Sequence, residues 1–339
     1  MSEIRFDRIH NTHVIIAPER LHRPNLFKSK FSSTAKSICP FCEGKESFTP
    51  PEIFAIRENE ANFSGWKTRV VPNLYKAVQI EEEQGSKREG LFESVNGFGA
   101  HEILIDSPCH MCGMAELEKE GIENWLRTII IRKDDLAKDK RLIHLSVFKN
   151  SGQNAGATQE HPHTQLIALP ILPEEEILFL KRNMDYYNVH GRGIVEDVVK
   201  NEKIAEVRVL DEIGVFLAYC PYASAFSFEV IIAPTKNFAS LCECSRSELS
   251  DLSLLIQKVF EMLNKQLNSF DYNITFHFAP LNSNFEDEYY MSDLGENFTF
   301  YIRITPRIYT LGGFETSTSM AMNSVTPEEA ARLLKGDEN

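Results

Sequence analysis

Nowhere in these 339 residues is there an apolar run approaching the roughly 20 residues of a membrane-spanning helix. The opening stretch, MSEIRFDRIHNTHVIIAPER, carries charge from its start and has no apolar signal region. A soluble, cytoplasmic protein with no membrane partner is therefore expected. Basic residues are in deficit, 36 Lys and Arg against 49 Asp and Glu, for a net charge of −13. Nucleic-acid binders normally show a basic footprint, so no such partner is expected; a few focused arginines could still hold a small anion. Cysteine is scarce and odd in number, at seven. That argues against a disulfide framework and leaves metal binding or plain thiols. What the chain does have is 42% hydrophobic residues, enough to core one large domain or two medium ones.

Residues 1–60 read as irregular, with one strand-like run, HVIIAP. TRVVPNLYKAVQI (68–80) reads as a strand broken by a Pro-Asn turn. HEILIDSP (101–108) alternates like a strand, and residues 114–138 carry apolar positions at helical spacing. Two strands follow, IHLSVFKN (143–150) and HPHTQLIALP (161–170). The second half repeats the order: a hairpin in EVRVLDEIGVFLAYCP, a strand in FSFEVIIAP (226–234), a long helix at 246–268, and strands at 272–280 and 297–306. The pattern predicts an α+β fold made of a duplicated strand–helix–strand–strand unit, its antiparallel sheets packed with helices. The boundary is expected near residue 172, giving halves 1–172 and 173–339. Setting Pro170 against Pro306 places Asn297 and Thr299 where His161 and His163 stand, so only the first half keeps the histidines.

Alternate side chains of a strand share a face, so His161, His163 and Gln165 point the same way. Cys39-Pro-Phe-Cys42 is a CxxC in a Pro-rich, non-helical setting, where two thiolates could grip one zinc ion; without further ligands it would be a pair of loop cysteines. His161 and His110, the latter in DSPCH, could complete a tetrahedral site, although Cys109 and Cys112 flank His110 and are alternative ligands. His163 would then stand free as a nucleophile toward phosphorus, provided its other nitrogen is held by an acceptor. The preceding NSGQNAGAT (150–158) offers backbone N–H groups that could cradle phosphate.

Together, CPFC, GAHEILIDSPCH and NSGQNAGATQEHPHTQ resemble the galactose-1-phosphate uridylyltransferase family, a branch of the histidine-triad superfamily. VIIAPERLHRP, VVPNLYKAV, PYASAFSFEVIIAP and GGFETSTSMAMNSVTPEEAA extend the likeness over nearly the whole chain. The resemblance implies a duplicated histidine-triad-like fold and ping-pong nucleotidyl transfer through a nucleotidyl-histidine at His163. It implies one structural zinc on Cys39, Cys42, His110 and His161. Gln165 would assist at the phosphoryl group, with Arg20, Arg23, Asn150 and Thr158 on the phosphate side. Asn73 and Leu74 would line the nucleoside pocket and Phe314 the sugar segment. The expected partners are a nucleotide sugar and a sugar-1-phosphate or phosphate, and the expected assembly is a homodimer whose sites borrow residues across subunits.

Uridylyl transfer from UDP-glucose to galactose-1-phosphate is the first expectation. The GGFE segment, with Gly313-Phe314 and Thr318-Ser319 where uridylyltransferases carry Lys-Phe and Tyr-Glu, is closer to ADP-sugar phosphorylases. Adenylyl transfer to phosphate, by an ADP-sugar or dinucleotide phosphorylase, is thus the alternative. A zinc-stabilised nucleotide-binding protein without turnover is a third reading, which a free nucleophile argues against. The second metal site of many relatives would fall at Gly193, Glu196, Asn237, Asn297 and Thr299; only His277 survives, and one histidine does not make a site, so a single metal is expected. His277 is expected to be packed or hydrogen-bonded.

Overall fold

The computed structural model describes residues 2–22, 39–110, 112–283 and 288–337. Strands β1 (Glu3–Asp7) and β2 (Thr12–Ile16) form an N-terminal hairpin. Next come β3 (Phe54–Arg57), β4 (Trp66–Pro72), the exposed hairpin β5 (Ser86–Glu89) and β6 (Phe92–Val95), and β7 (Ala100–Ile105). Helix α1 (Lys119–Leu136) leads into β8 (His144–Ser151) and β9 (His163–Leu169). Helices α2 (Glu174–His190) and α3 (Ile194–Ala205) then precede β10 (Val209–Ile213), β11 (Phe216–Tyr219) and β12 (Val230–Pro234). The chain closes with α4 (Arg246–Leu267), β13 (Tyr272–His277), α5 (Leu294–Asn297), β14 (Tyr301–Pro306), α6 (Gly313–Thr318), β15 (Ala321–Asn323) and α7 (Pro327–Lys335).

Ten strands make one antiparallel sheet in the order β10-β11-β12-β14-β13-β8-β9-β7-β4-β3. The two halves are mirror-ordered about the β13–β8 pair, where Asn273 opposes Asn150 and Thr275 opposes Phe148. Thus β8, β9 and β7 of the first half correspond to β13, β14 and β12 of the second, and α1 corresponds to α4. This is the expected α+β duplication. Both long helices pack on the same side of the sheet. Ile122, Trp125, Leu126 and Ile129 of α1 recur at helical spacing and are fully buried. So are Leu252, Leu255, Val259 and Leu263 of α4, which starts at a Ser245–Glu248 capping box. On the other side α3 covers β11 and β12, where Ile194, Val195 and Val199 pack on Leu217, Tyr219, Ile231 and Ala233, while no helix among the described residues packs over β9 there. No helix among the described residues is long and apolar enough to cross a membrane.

Several expectations need correction. Residues 1–60 are not irregular apart from HVIIAP: β1 pairs with β2 through its full length, and β3 pairs with β4. The second arm of 68–80 is no strand, because after Pro72 the chain turns and makes only a single bridge, Gln79 to Phe98. The helix expected from 114 starts at Lys119. Helices α2 and α3 fill a segment to which the sequence reading gave no structure. One small sheet was also unforeseen: β15 runs parallel beside β2, tying the last residues to the first.

Candidate active site and metal centre

The open face of the first half is assembled from β7, β8 and β9. His163 opposes Ile105 on β7, and Gln165 lies between Ile103 and Phe148. At the head of β9, His161 is wholly buried, and its Nε2 lies 2.9 Å from the Ser107 carbonyl. A carbonyl can only accept, so Nε2 bears the proton and Nδ1 is left with its lone pair. That lone pair faces Cys39 Sγ and Cys42 Sγ, each at 3.7 Å, while His110 Nδ1 is 3.2 Å from Cys42 Sγ. The four ligand atoms lie within 4.8 Å of one another. Metal–ligand bonds of about 2.0–2.3 Å imply tetrahedral edges of roughly 3.3–3.8 Å, so the quartet suits a tetrahedral ion such as zinc. Burial and the neighbouring Cys39 push the Cys42 thiol above its ordinary value. Two crowded thiols of this kind are relieved by a cation that takes them as thiolates.

Cys109 and Cys112, the alternative ligands, are paired as a disulfide with Cα atoms 5.5 Å apart. This corrects the expectation that the chain holds only metal-bound or plain thiols. Three residues of separation on a turning loop bring the two sulfurs into bonding reach, and the bond leaves His110 between them as the available ligand.

His163 uses the opposite tautomer. Its Nδ1 lies 2.9 Å from the His161 carbonyl and so carries the proton, which leaves Nε2 as a free lone pair on the open face. Burial holds its pKa below the ordinary value, and the Lys149 ammonium adds to the effect. At neutral pH the ring is a neutral imidazole with an available lone pair. Phe41, between the two metal-side cysteines, lies over His163 with ring centres 5.6 Å apart. Beneath the strand, Asp106 accepts from Lys149 Nζ at 2.6 Å and from Thr164 at 2.8 Å, and Thr164 in turn accepts from Trp125 at 2.8 Å. Lys149 and Asp106 are both about 1% exposed. Sequence reading missed this pair and Phe41; the visible signal was a lysine at an inward position of β8, in line with Leu145 and Val147, and an aspartate directly after β7.

The other expected residues scatter. Gln165 Oε1 is 3.0 Å from His101 Nε2, and Asn73 Nδ2 is 2.9 Å from that same nitrogen. Asn73 thus lies beside His101 and Gln165, while Leu74 projects outward, 68% exposed. Asn150 accepts from Asn273 Nδ2 at 2.8 Å. Thr158 is exposed on the loop before β9, and Arg20 is exposed on a short turn after β2. Arg23 lies outside the described residues. Phe314 sits on exposed α6, whose Glu315, with the adjacent Leu311 and Ser319, lines a 560 Å³ cavity shared with His10, His277 and Tyr301. The structure thus groups α6 with the second half's open face and not with His163.

The phosphate cradle expected of loop 150–158 is not formed by its central amides. Ala155 and Ala157 donate to the Gly152 carbonyl, Gly156 donates to Gln153, and Asn154 donates to the Asp271 carboxylate at 2.7 Å. Gly152 is required here: its φ is +85° and a Cβ would lie 1.9 Å from Asp271 Oδ1.

At the second half's equivalent, amides stand where ligands could have been. Asn183 Nδ2 donates to the Asn297 carbonyl and Oδ1, both at 3.0 Å, and Thr299 donates to Asn237 Oδ1 at 3.0 Å. A side chain at Gly193 would put Cβ 2.0 Å from the Asn297 carbonyl. His277 stacks on Tyr301 with ring centres 4.3 Å apart and meets Thr275 Oγ1 at 3.2 Å.

Comparison with known proteins gives a consistent answer. Residues 1–173 match the family model for galactose-1-phosphate uridyl transferase, N-terminal domain, and residues 179–335 match that for its C-terminal domain. The chain is 30% identical over 338 residues to an ADP-glucose phosphorylase of Arabidopsis thaliana, covering 98% of this chain and 92% of that one. It is 25% identical over 345 residues to a galactose-1-phosphate uridylyltransferase of Thermotoga maritima, covering 100% and 99%. The crystal structure of the Arabidopsis thaliana ADP-glucose phosphorylase with bound ADP-glucose superposes with a TM-score of 0.81 at 28% identity, covering 99% of each chain.

Proposed function

Since the chain belongs to the galactose-1-phosphate uridyl transferase family and is a nucleotidyltransferase, we propose that it carries an adenylyl group from an ADP-sugar to phosphate through His163. The observation that carries the chemistry is the hydrogen bond from His163 Nδ1 to the His161 carbonyl, which leaves Nε2 neutral and free. In the first step the Nε2 lone pair attacks the α-phosphorus. The bond from that phosphorus to the leaving oxygen breaks, and sugar-1-phosphate departs with the electron pair. In the second step a phosphate oxygen attacks the same phosphorus, the N–P bond breaks, and ADP leaves with His163 restored. Gln165 donates from its amide to a non-bridging oxygen in both steps.

Two features favour the adenylyl reading: the Gly312-Gly313-Phe314-Glu315 segment and the identity to an ADP-glucose phosphorylase over nearly the full chain. Uridylyl transfer to a hexose-1-phosphate remains the second reading, supported by the equally complete alignment with a uridylyltransferase. Cys39, Cys42, His110 and His161 would hold one structural zinc, whose contribution is to pin two loops to the head of β9. The working form is proposed to be a homodimer.

Intact-mass measurement after separate incubation with ADP-glucose and UDP-glucose tests this reading, with His163→Asn as control. An adenylyl adduct on the wild type alone, discharged by phosphate, is expected. A uridylyl adduct discharged by a hexose-1-phosphate moves the assignment to the second reading. No adduct with either sinks both.

A further inference from the structure

We propose that His101 is the positioning residue that aims the Gln165 amide at the reacting phosphoryl group; this rests on the reading of His163 as nucleophile. His101 lies on β7, diagonal to Gln165 across the β7–β9 pair and on the same open face. It is 8% exposed, so its ring nitrogens must find partners within the protein.

The tautomer follows by elimination. Ala77 donates its backbone N–H to His101 Nδ1 at 3.1 Å, and a backbone amide cannot reverse its role. Nδ1 is thus an acceptor, and the ring proton resides on Nε2. Two groups lie near that nitrogen: Gln165 Oε1 at 3.0 Å, and Asn73 Nδ2 at 2.9 Å, which as a donor makes no hydrogen bond to an N–H. The Asn73 oxygen is already taken by the Tyr75 N–H at 2.9 Å, so Asn73 presents its NH2, which has no lone pair to offer. Gln165 Oε1 is the acceptor that remains.

An amide held by its oxygen has its NH2 fixed on the other side. Unheld, Gln165 could turn over and present its oxygen, which would repel a phosphoryl oxygen where the NH2 attracts it. The main chain at Ala77 therefore sets His101, and His101 sets Gln165, without touching the substrate. This accounts for a histidine that neither metal binding nor nucleophilic attack uses. Removing a preorganised donor from a charged transition state commonly costs about 10²–10³ in rate, and losing only its orientation costs part of that.

The test measures the single-turnover rate of nucleotidyl-His163 formation from ADP-glucose and UDP-glucose in wild type, H101M, H101Q, Q165A and the H101M/Q165A double variant. Methionine and glutamine fill similar space, but only glutamine keeps an N–H where Nε2 stood. H101M is expected to slow adduct formation about 10- to 100-fold with nucleotide-sugar binding little changed, and H101Q to stay within a few-fold of wild type. The double variant should be no slower than Q165A. Rate losses that multiply in the double variant, or an H101Q as slow as H101M, would overturn the proposal. Wild-type protein that forms no adduct from either donor overturns the nucleophile reading itself, and this inference with it. Nitrogen-15 NMR of the histidine rings needs no variant: an Nε2–H tautomer at His101 is required, and an Nδ1–H tautomer refutes the assignment even if H101M fails to fold.

Discussion

His161 and His163 stand two residues apart on one strand and hold opposite tautomers: His161 gives its Nε2 proton to Ser107, and His163 gives its Nδ1 proton to the carbonyl of His161 itself. One main-chain group thus couples the candidate metal quartet to the proposed nucleophile. The arrangement separates two losses by mutation. His163→Asn is expected to abolish the covalent adduct while metal content and melting temperature stay near wild type. His161→Asn is expected to release the metal and lower the adduct rate as well, because the strand head loses its anchor. Metal analysis and intact mass on both variants check this; metal loss from His163→Asn would contradict the assignment.

The ion pair under the strand predicts a stability effect of known sign. Lys149 and Asp106 are buried on the helix side of the sheet, and Lys149 also reaches the His163 carbonyl at 3.5 Å. Removing one partner leaves an uncompensated buried charge, so Lys149→Met is expected to cost about 3–5 kcal/mol. Lys149→Met with Asp106→Leu should cost less than Lys149→Met alone, since no orphaned charge is left. Urea denaturation of the three proteins decides the point; a double variant worse than the single would mean the pair matters mainly through the Thr164 and Trp125 hydrogen bonds.

Stability should fall on mild acidification. Burial lowers His144 to about 4 and holds His277 well below its ordinary value. Both are neutral in the fold, and in the unfolded chain they take up protons near pH 6.5. The unfolded state therefore binds more protons below that pH, so unfolding free energy declines as pH drops from about 6.5 toward 4, with His144 and His277 contributing up to about two protons of slope. Melting temperatures measured between pH 7.5 and 5 should show this, and His144→Gln should remove up to about one proton of the slope. An unchanged slope in that variant would place the dependence elsewhere.

How much of this could be read from the sequence depended on how local each signal was. Strands β7, β8 and β9 and helices α1 and α4 were legible because their apolar positions repeat at two or at three to four residues over long stretches. The quartet Cys39, Cys42, His110 and His161 was legible because the metal chemistry restricts the residue types. Helices α2 and α3 were overlooked although Pro173 and Glu174–Glu176 form an acidic helix start and Gly191 a left-handed stop. Strands β1 and β3 are four or five residues long with largely exposed or half-buried side chains, so no apolar alternation marks them. His101 could not be found this way at all. A single histidine in a strand carries no pattern, and its partners arrive from residues 73, 77 and 165.

The position of α6 leads to a prediction about assembly. Phe314 lies on an exposed helix beside the second half's open face, yet the family resemblance assigns its segment to substrate. A site that borrows this segment from a second copy reconciles the two. In that case a mixture of His163→Asn and Phe314→Ala subunits, unfolded and reassociated together, regains activity that neither variant has alone. Random pairing makes half the dimers mixed, and each mixed dimer has one intact site, so about a quarter of wild-type sites should return. If each chain supplies its own Phe314, every site in a mixed dimer keeps one lesion and none returns. Active-site counting by adduct mass in the reassociated mixture separates these outcomes. A zero count alongside full recovery of reassociated wild type would place Phe314 in its own subunit's site, whereas adduct on Phe314→Ala protein by itself would place it outside any site.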